Sequence, residues 1–122
     1  MAAPPVPADV TIFHNPACSV SRNVVALLRA NGVEPRIVDY MKVGWTRGQL
    51  ESLLSRMGST AKDILRVRGT QAADLGLTAK TVLDGDILNA MVRDPSLVQR
   101  PIVVSPRGSA LCRPKEKVLD LL

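Results

Sequence analysis

The sequence predicts an α/β fold in which a βαβ unit and a ββα unit share one mixed four-stranded sheet, with a helical insertion between the two halves. Three observations carry that prediction. Residues 9–13 (DVTIF) and 35–40 (PRIVDY) are β-branched runs on either side of a stretch with helical spacing. Residues of about 46–97 then carry helical patterns and turn signals without a strand. Finally, residues 101–105 (PIVVS) and 109–112 (SALC) flank Pro106, Arg107 and Gly108, a hairpin signature, and Pro114 opens a last helix.

Each element follows in order. The first strand stops at Asn15-Pro16, a turn signal. From Ser19 onward, Val24, Leu27 and Leu28 recur on one helical face with Ser21, Arg22 and Arg29 off it, and Asn31-Gly32 closes the helix. A helix between two strands is a crossover connection, so the first two strands should be parallel. Thr46 caps a second helix that carries Leu50, Leu53, Leu54 and Met57 at i, i+3, i+4 and i+7 and ends at Gly58. Short helices are expected over 60–65, 70–75 and 84–93. The Pro- and Ala-rich residues 1–8 read as a flexible extension, and 9–122 as a single domain. This order, with a cysteine at the start of the first helix, is the thioredoxin-like plan. The plan does not by itself give a function.

Composition narrows the function classes. A chain of 122 residues suits one core, and its apolar runs fall short of the roughly 18 residues that suggest a membrane span. The opening MAAPPVPAD lacks the basic and apolar regions of a secretory signal, so a cytoplasmic protein is expected, acting as a monomer away from membranes. The net charge of +5 comes mostly from 11 arginines. With three aromatics (Phe13, Tyr40, Trp45) and no dense basic run, nucleic acid is not the expected partner; a small oxyanion held by a few arginine forks is. One histidine and two remote cysteines make no zinc site, so no metal is expected.

Cys18 and Cys112 lie 94 positions apart and are expected to be free thiols. A thiol at a helix N-terminus meets the positive end of the helix dipole and unpaired N–H groups, which favour thiolate. Ser19, Ser21 and Arg22 follow within a turn, and His14 precedes. This suits a nucleophile; the competing reading is a buried cysteine at a strand end. Position 21 is serine, so no local C-x-x-C disulfide can close. Position 24 is valine where a C-x5-R phosphatase loop needs arginine.

The segment HNPACSVSRN resembles the active-site segment of the glutaredoxin-dependent arsenate reductases, a thioredoxin-like family with the hallmark H-N-P-x-C-x-x-S-R. Ile64-Leu65-Arg66, Leu75-Gly76-Leu77, residues 99–104 (QRPIVV) and Leu111-Cys112-Arg113-Pro114 fall in the family's order, so the similarity covers about residues 10–122. The resemblance implies that Cys18 attacks arsenate and that a small thiol such as glutathione displaces a second oxygen. A glutaredoxin-type protein then completes reduction to arsenite, with no bound cofactor. It implies that Arg66, Arg100 and Arg113 hold the oxyanion, and that Pro101 is cis and faces the cysteine. His14 would help to set the thiolate; Ser21 is expected to donate to the sulfur, Arg22 to give electrostatic help or stand as a solvated helix residue, and Asn15 and Pro16 to shape the turn. Alternation along the strand sends Cys112 and Arg113 to opposite faces, so Cys112 is expected to be a core residue. The chain departs from the family pattern at residues 42–46 (KVGWT), where a Pro-Pro pair is usual, and at 67–74 (VRGTQAAD).

Two other readings share the scaffold. A glutathione-dependent thiol reductase acting on mixed disulfides would keep Cys18 and have no need of all three arginines. A non-enzymatic regulator like the RNA polymerase-binding Spx proteins would use a C-x-x-C switch, which Cys18 and Ser21 cannot supply.

Overall fold

A computed structural model describes residues 9–122, and the extension expected over 1–8 lies outside the described residues. The chain divides into two compact units: the segment through Tyr40 together with Arg100–Leu122, and Met41–Gln99.

The first unit holds the sheet. Strands β1 (Thr11–His14), β2 (Arg36–Asp39), β3 (Ile102–Ser105) and β4 (Gly108–Leu111) are ordered β2-β1-β3-β4. The expected crossover is present: helix α1 (Ser19–Ala30) joins β1 to β2, and these two strands run parallel with His14 opposite Asp39. β3 pairs antiparallel with both β1 and β4, which makes the sheet mixed. Val10 and Ile12 bury themselves with Val24, Val25 and Leu28 of α1 and with Val103, Cys112, Val118 and Leu121, forming one continuous core.

Local sequence explains where α1 stops. Gly32 adopts φ 78, which only glycine takes without steric cost. Its N–H donates to the Arg29 carbonyl (3.0 Å) and the Val33 N–H to the Leu28 carbonyl (3.0 Å). That pair of bonds is the Schellman stop, and Val33 packs against the core beside it. The buried stripe of α1 is Ser21, Val24, Val25 and Leu28. Ser21 was expected off the apolar face and is in fact fully buried on it. One helical turn before Val24 and Val25 it can face only inward, and its hydroxyl is satisfied there by the Asn15 N–H (3.4 Å).

Several boundaries differ from expectation. β2 ends at Asp39, because the fully buried Tyr40 begins a one-turn helix α2 (Tyr40–Val43). β4 runs one residue earlier than SALC, and Cys112 continues the ladder only through its N–H to the Pro101 carbonyl (2.9 Å). The last helix is a 3₁₀ helix, Lys115–Leu121.

In the second unit, α3 (Arg47–Met57) opens on a reciprocal capping box: Thr46 Oγ1 accepts from the Gln49 N–H (3.1 Å) and Gln49 Oε1 from the Thr46 N–H (3.2 Å). A 3₁₀ turn, Ala61–Ile64, stands where a helix over 60–65 was expected. Helix α4 (Asp84–Arg93) matches its expected span and packs against that turn and against α3. Residues 70–75 are a series of turns and not a helix. A segment this short cannot repay helix nucleation, and Gly76 at φ 74 reverses the chain so that Leu77 N–H reaches back to the Ala72 carbonyl (2.9 Å). No helix among the described residues is long and apolar enough to cross a membrane.

Leu28 has no exposed surface in the core of the first unit. Leu28→Ala should cost about 2–5 kcal/mol in chemical denaturation. The exposed helix residue Arg29, paired only with Glu34, should barely move the midpoint when changed to alanine.

Candidate active site

The site begins where β1 ends. Asn15 Oδ1 accepts from the Ala17 N–H (3.0 Å) and the Asn15 carbonyl from the Cys18 N–H (3.0 Å), so Asn15-Pro16-Ala17 folds back in a tight turn. Arg22 closes the turn from the far side, its Nη1 donating to the Pro16 carbonyl (2.8 Å). Its guanidinium is therefore engaged with the turn. Cys18 occupies the N-cap of α1 with extended backbone (φ −94, ψ 122), and its carbonyl accepts the first helical bond from the Arg22 N–H (3.1 Å).

This placement leaves the first-turn N–H groups free to face the sulfur. Cys18 is only 8% exposed. Burial is the largest influence on the thiol and pushes its pKa up. The Ser21 N–H, the Arg100 guanidinium, the Val20 N–H and the Ser21 hydroxyl act together in the opposite direction, and the outcome is a thiol lowered to about 7. At neutral pH a large fraction is thiolate.

The hairpin delivers two arginines to this point. Because β3 runs antiparallel to β1, Ile102 at the start of β3 lies opposite Phe13 near the end of β1, and Leu111 at the end of β4 lies opposite Ile102. The residues two positions beyond the outer ends of the hairpin strands thus emerge beside Cys18. They are Arg100 and Arg113, each preceding a cis-proline, Pro101 and Pro114. Arg113 Nη1 donates to the Arg100 carbonyl (3.1 Å) and stands 3.9 Å from the Cys18 sulfur, a long contact at the limit of a sulfur hydrogen bond. Arg100 acts on the thiolate more strongly, and its buried Nε has no hydrogen-bond partner among the described residues.

The remaining expected site residues are placed as follows. His14 is buried at the end of β1 with Nδ1 unpartnered among the described residues. Burial, the largest influence, lowers its pKa and Arg22 adds to that, while Asp39 opposes, so the imidazole is neutral at neutral pH. It supplies no positive charge to the thiolate. Arg66 belongs to the Met41–Gln99 unit. There its N–H donates to the Leu97 carbonyl (2.8 Å), its Nη1 to Gln99 Oε1 (3.2 Å), and its carbonyl accepts from the Thr70 hydroxyl (2.7 Å). Cys112 has no exposed surface; burial pushes its thiol up to about 12. Among the described residues no group of three or more His, Cys, Asp or Glu side chains stands together to hold a metal ion.

The unpaired first-turn N–H groups expected at the sulfur are those of Val20 and Ser21. Sequence reasoning missed Asp39; its signal was register, since His14 and Asp39 each end a strand of a parallel pair.

An activated thiol at the head of the first helix, on a sheet ordered β2-β1-β3-β4, defines a thioredoxin-like protein with two arginines beside its cysteine. The chain belongs to the ArsC family, whose pattern matches residues 13–121. It is similar to an arsenate reductase of Rhizobium meliloti (strain 1021), 46% identical over 113 residues that cover 93% of this chain and 81% of the relative. It is also similar to an arsenate reductase of Escherichia coli (strain K12), 40% identical over 115 residues covering 94% and 82%. Among solved structures, an arsenate reductase from Vibrio cholerae superposes with a TM-score of 0.90 at 31% identity, covering 96% of this chain and all of the other.

Alkylation rate against pH should follow a midpoint near 7 at Cys18, while Cys112 stays unreactive in the folded protein. Removing the Ser21 hydroxyl (Ser21→Ala) should raise the Cys18 midpoint, and so should bound sulfate or arsenate, because a second negative charge disfavours the thiolate.

Proposed function

We infer that this chain is an arsenate reductase, an oxidoreductase of the ArsC family that takes arsenate as substrate, with Cys18 as its nucleophile. The observation that carries the reading is an activated Cys18 thiol with two guanidiniums brought to it, in a chain 40% and 49% identical to arsenate reductases over more than nine-tenths of its length. The chemistry requires that combination. A thiolate approaching an arsenate anion meets charge repulsion, and charge-assisted arginine bonds both bind the tetrahedral oxyanion and stabilise the charge that develops as sulfur bonds to arsenic. A mixed disulfide presents no oxyanion at the reacting sulfur, so a thiol reductase needs a cation only to hold its thiolate and has no use for a pair of arginine forks.

The cycle has three parts. Cys18 displaces one arsenate oxygen and forms a sulfur–arsenic bond. A small thiol, glutathione by the family resemblance, displaces a second oxygen. A glutaredoxin-type protein completes the two-electron reduction and restores the Cys18 thiol, with no bound cofactor, in the cytoplasm. Arg100 and Arg113 hold the oxyanion beside the sulfur. Arg66 is assigned to the oxyanion as a third ligand on the resemblance alone. Ser21 and the Val20 N–H hold the thiolate, and neutral His14 lines the strand end behind it.

Cys18→Ser should abolish arsenite production with glutathione and glutaredoxin, and Cys112→Ser should leave it nearly intact. Equal loss in both folded variants would mean an intramolecular relay and reject the monothiol mechanism. Arg100→Ala and Arg113→Ala should each lower turnover at least tenfold, since each removes a charge-assisted contact of about 1.5–3 kcal/mol. Lysine in either place should rescue only part, because an ammonium keeps the charge and loses the fork. Arg66→Ala, assayed alongside, tests the third ligand: a rate like that of Arg29→Ala would remove it from the site.

A further inference from the structure

Besides Arg100 Nε, two buried side-chain atoms of the first unit have no hydrogen-bond partner among the described residues: His14 Nδ1 and Asp39 Oδ1. Buried polar atoms are paired in the great majority of cases, so two orphans in one place call for one explanation. Register brings them together. His14 ends β1 directly opposite Asp39, which ends β2. Residues opposed on neighbouring strands send their side chains to the same face, so the imidazole and the carboxylate are neighbours. It is the face of Ile12, which packs under α1.

The other groups around His14 leave Asp39 as its partner. Arg22 of α1 and Asp39 of β2 are the charged groups that act on it. Arg22 is engaged at the Pro16 carbonyl, and a guanidinium cannot accept a hydrogen bond. The Cys18 sulfur has its own donors in the Ser21 and Val20 N–H groups, the Ser21 hydroxyl and Arg100. β3, on the other side of β1, sets Val104, Val103 and Ile102 opposite it, none of which titrates. The two orphan atoms are also complementary. An ionised carboxylate only accepts, while a neutral imidazole carries its one proton on either nitrogen. With that proton on Nδ1 both orphans are satisfied; with it on Nε2, two acceptors confront each other out of water.

We propose that Asp39 is a positioning residue of this site: its carboxylate accepts from His14 Nδ1–H, holds the imidazole in that tautomer, and thereby presents Nε2 as a proton acceptor at the strand end that leads into the Cys18 turn. Asp39 acts on the reaction only through His14. For its bearing on turnover the inference rests on the arsenate-reductase reading, and for the pair itself on the strand register and the two orphan atoms.

The test has a spectroscopic and a kinetic arm, both on the full chain. His14 is the only histidine, so a long-range proton–nitrogen spectrum reports its ring nitrogens without overlap. The wild type at mildly alkaline pH should show the proton on Nδ1, Asp39→Glu should keep that preference, and Asp39→Asn should weaken it. The His14 titration should move to lower pH in Asp39→Asn, because the charge that opposes burial is gone. A wild-type spectrum with the proton on Nε2, which needs no variant to fold, would overturn the pair, and so would an unmoved titration in folded Asp39→Asn. In the kinetic arm Asp39→Asn should lower kcat for arsenate severalfold with little change in KM, and Asp39→Glu should recover part of the loss. In a His14→Ala background Asp39→Asn should cost nothing further. Additive losses, or no loss in Asp39→Asn, would overturn the positioning role. Wild-type protein that reduces no arsenate with any thiol would instead overturn the function, and the tautomer and titration would still decide the pair.

Discussion

A negative sulfur held almost out of water is the constraint on which the rest of the first unit depends. Burial alone would leave Cys18 protonated and inert. Its charge survives because donors are already in place before any substrate arrives: two first-turn N–H groups, the Ser21 hydroxyl and the Arg100 guanidinium. The N–H groups are available only because Cys18 is the N-cap, and it is the N-cap only because Asn15-Pro16-Ala17 turns the chain so tightly after β1. Arg22 and Ser21 hold that turn from inside α1, at Pro16 and at Asn15. The geometry of the thiolate is thus maintained by contacts between α1 and the turn that precedes it.

The two cysteines make the same point by contrast. Both are buried, yet Cys18 is lowered to about 7 and Cys112 is raised to about 12. Burial acts in the same direction on each and is deeper at Cys112, and Cys18 has N–H, hydroxyl and guanidinium donors to oppose it. Cys112 sits beyond the end of β4 with its sulfur toward a carbonyl oxygen, where a thiolate would be repelled. Nature of the residue decides neither reactivity nor role; the surrounding dipoles do. The consequence is that only one of the two cysteines is poised as a thiolate near neutral pH.

Antiparallel pairing brings two arginines from the ends of a local hairpin to the Cys18 sulfur. Arg100 and Arg113 are 13 residues apart but stand together, as the Nη1 bond of one to the carbonyl of the other shows. They flank β3 and β4, whose ends meet, and β3 places that meeting point beside the end of β1. A slip of one residue in the β1–β3 register would turn the alternation of side chains over and take the arginines away from the sulfur.

The sequence by itself determined the order of the sheet elements, the helix that starts at residue 19 and the glycine that ends it. It also determined the hairpin around Pro106-Arg107 and a cysteine at a strand-to-helix junction. These follow from short-range causes: side-chain periodicity, a proline turn, and a glycine free to take positive φ. The 70–75 segment misled because a few helix-like spacings do not make a helix without enough turns to offset nucleation. Ser21 was misplaced because a polar side chain on a buried stripe can be read correctly only when its hydrogen-bond partner, here Asn15, is known. Only the tertiary structure decided which charges meet the sulfur. Arg22, four residues away, spends its guanidinium on the Pro16 carbonyl, whereas Arg100 and Arg113, 82 and 95 residues away, arrive at it. Electrostatic contact depends on distance in space, and that distance is set by strand pairing between remote segments, which no local pattern encodes.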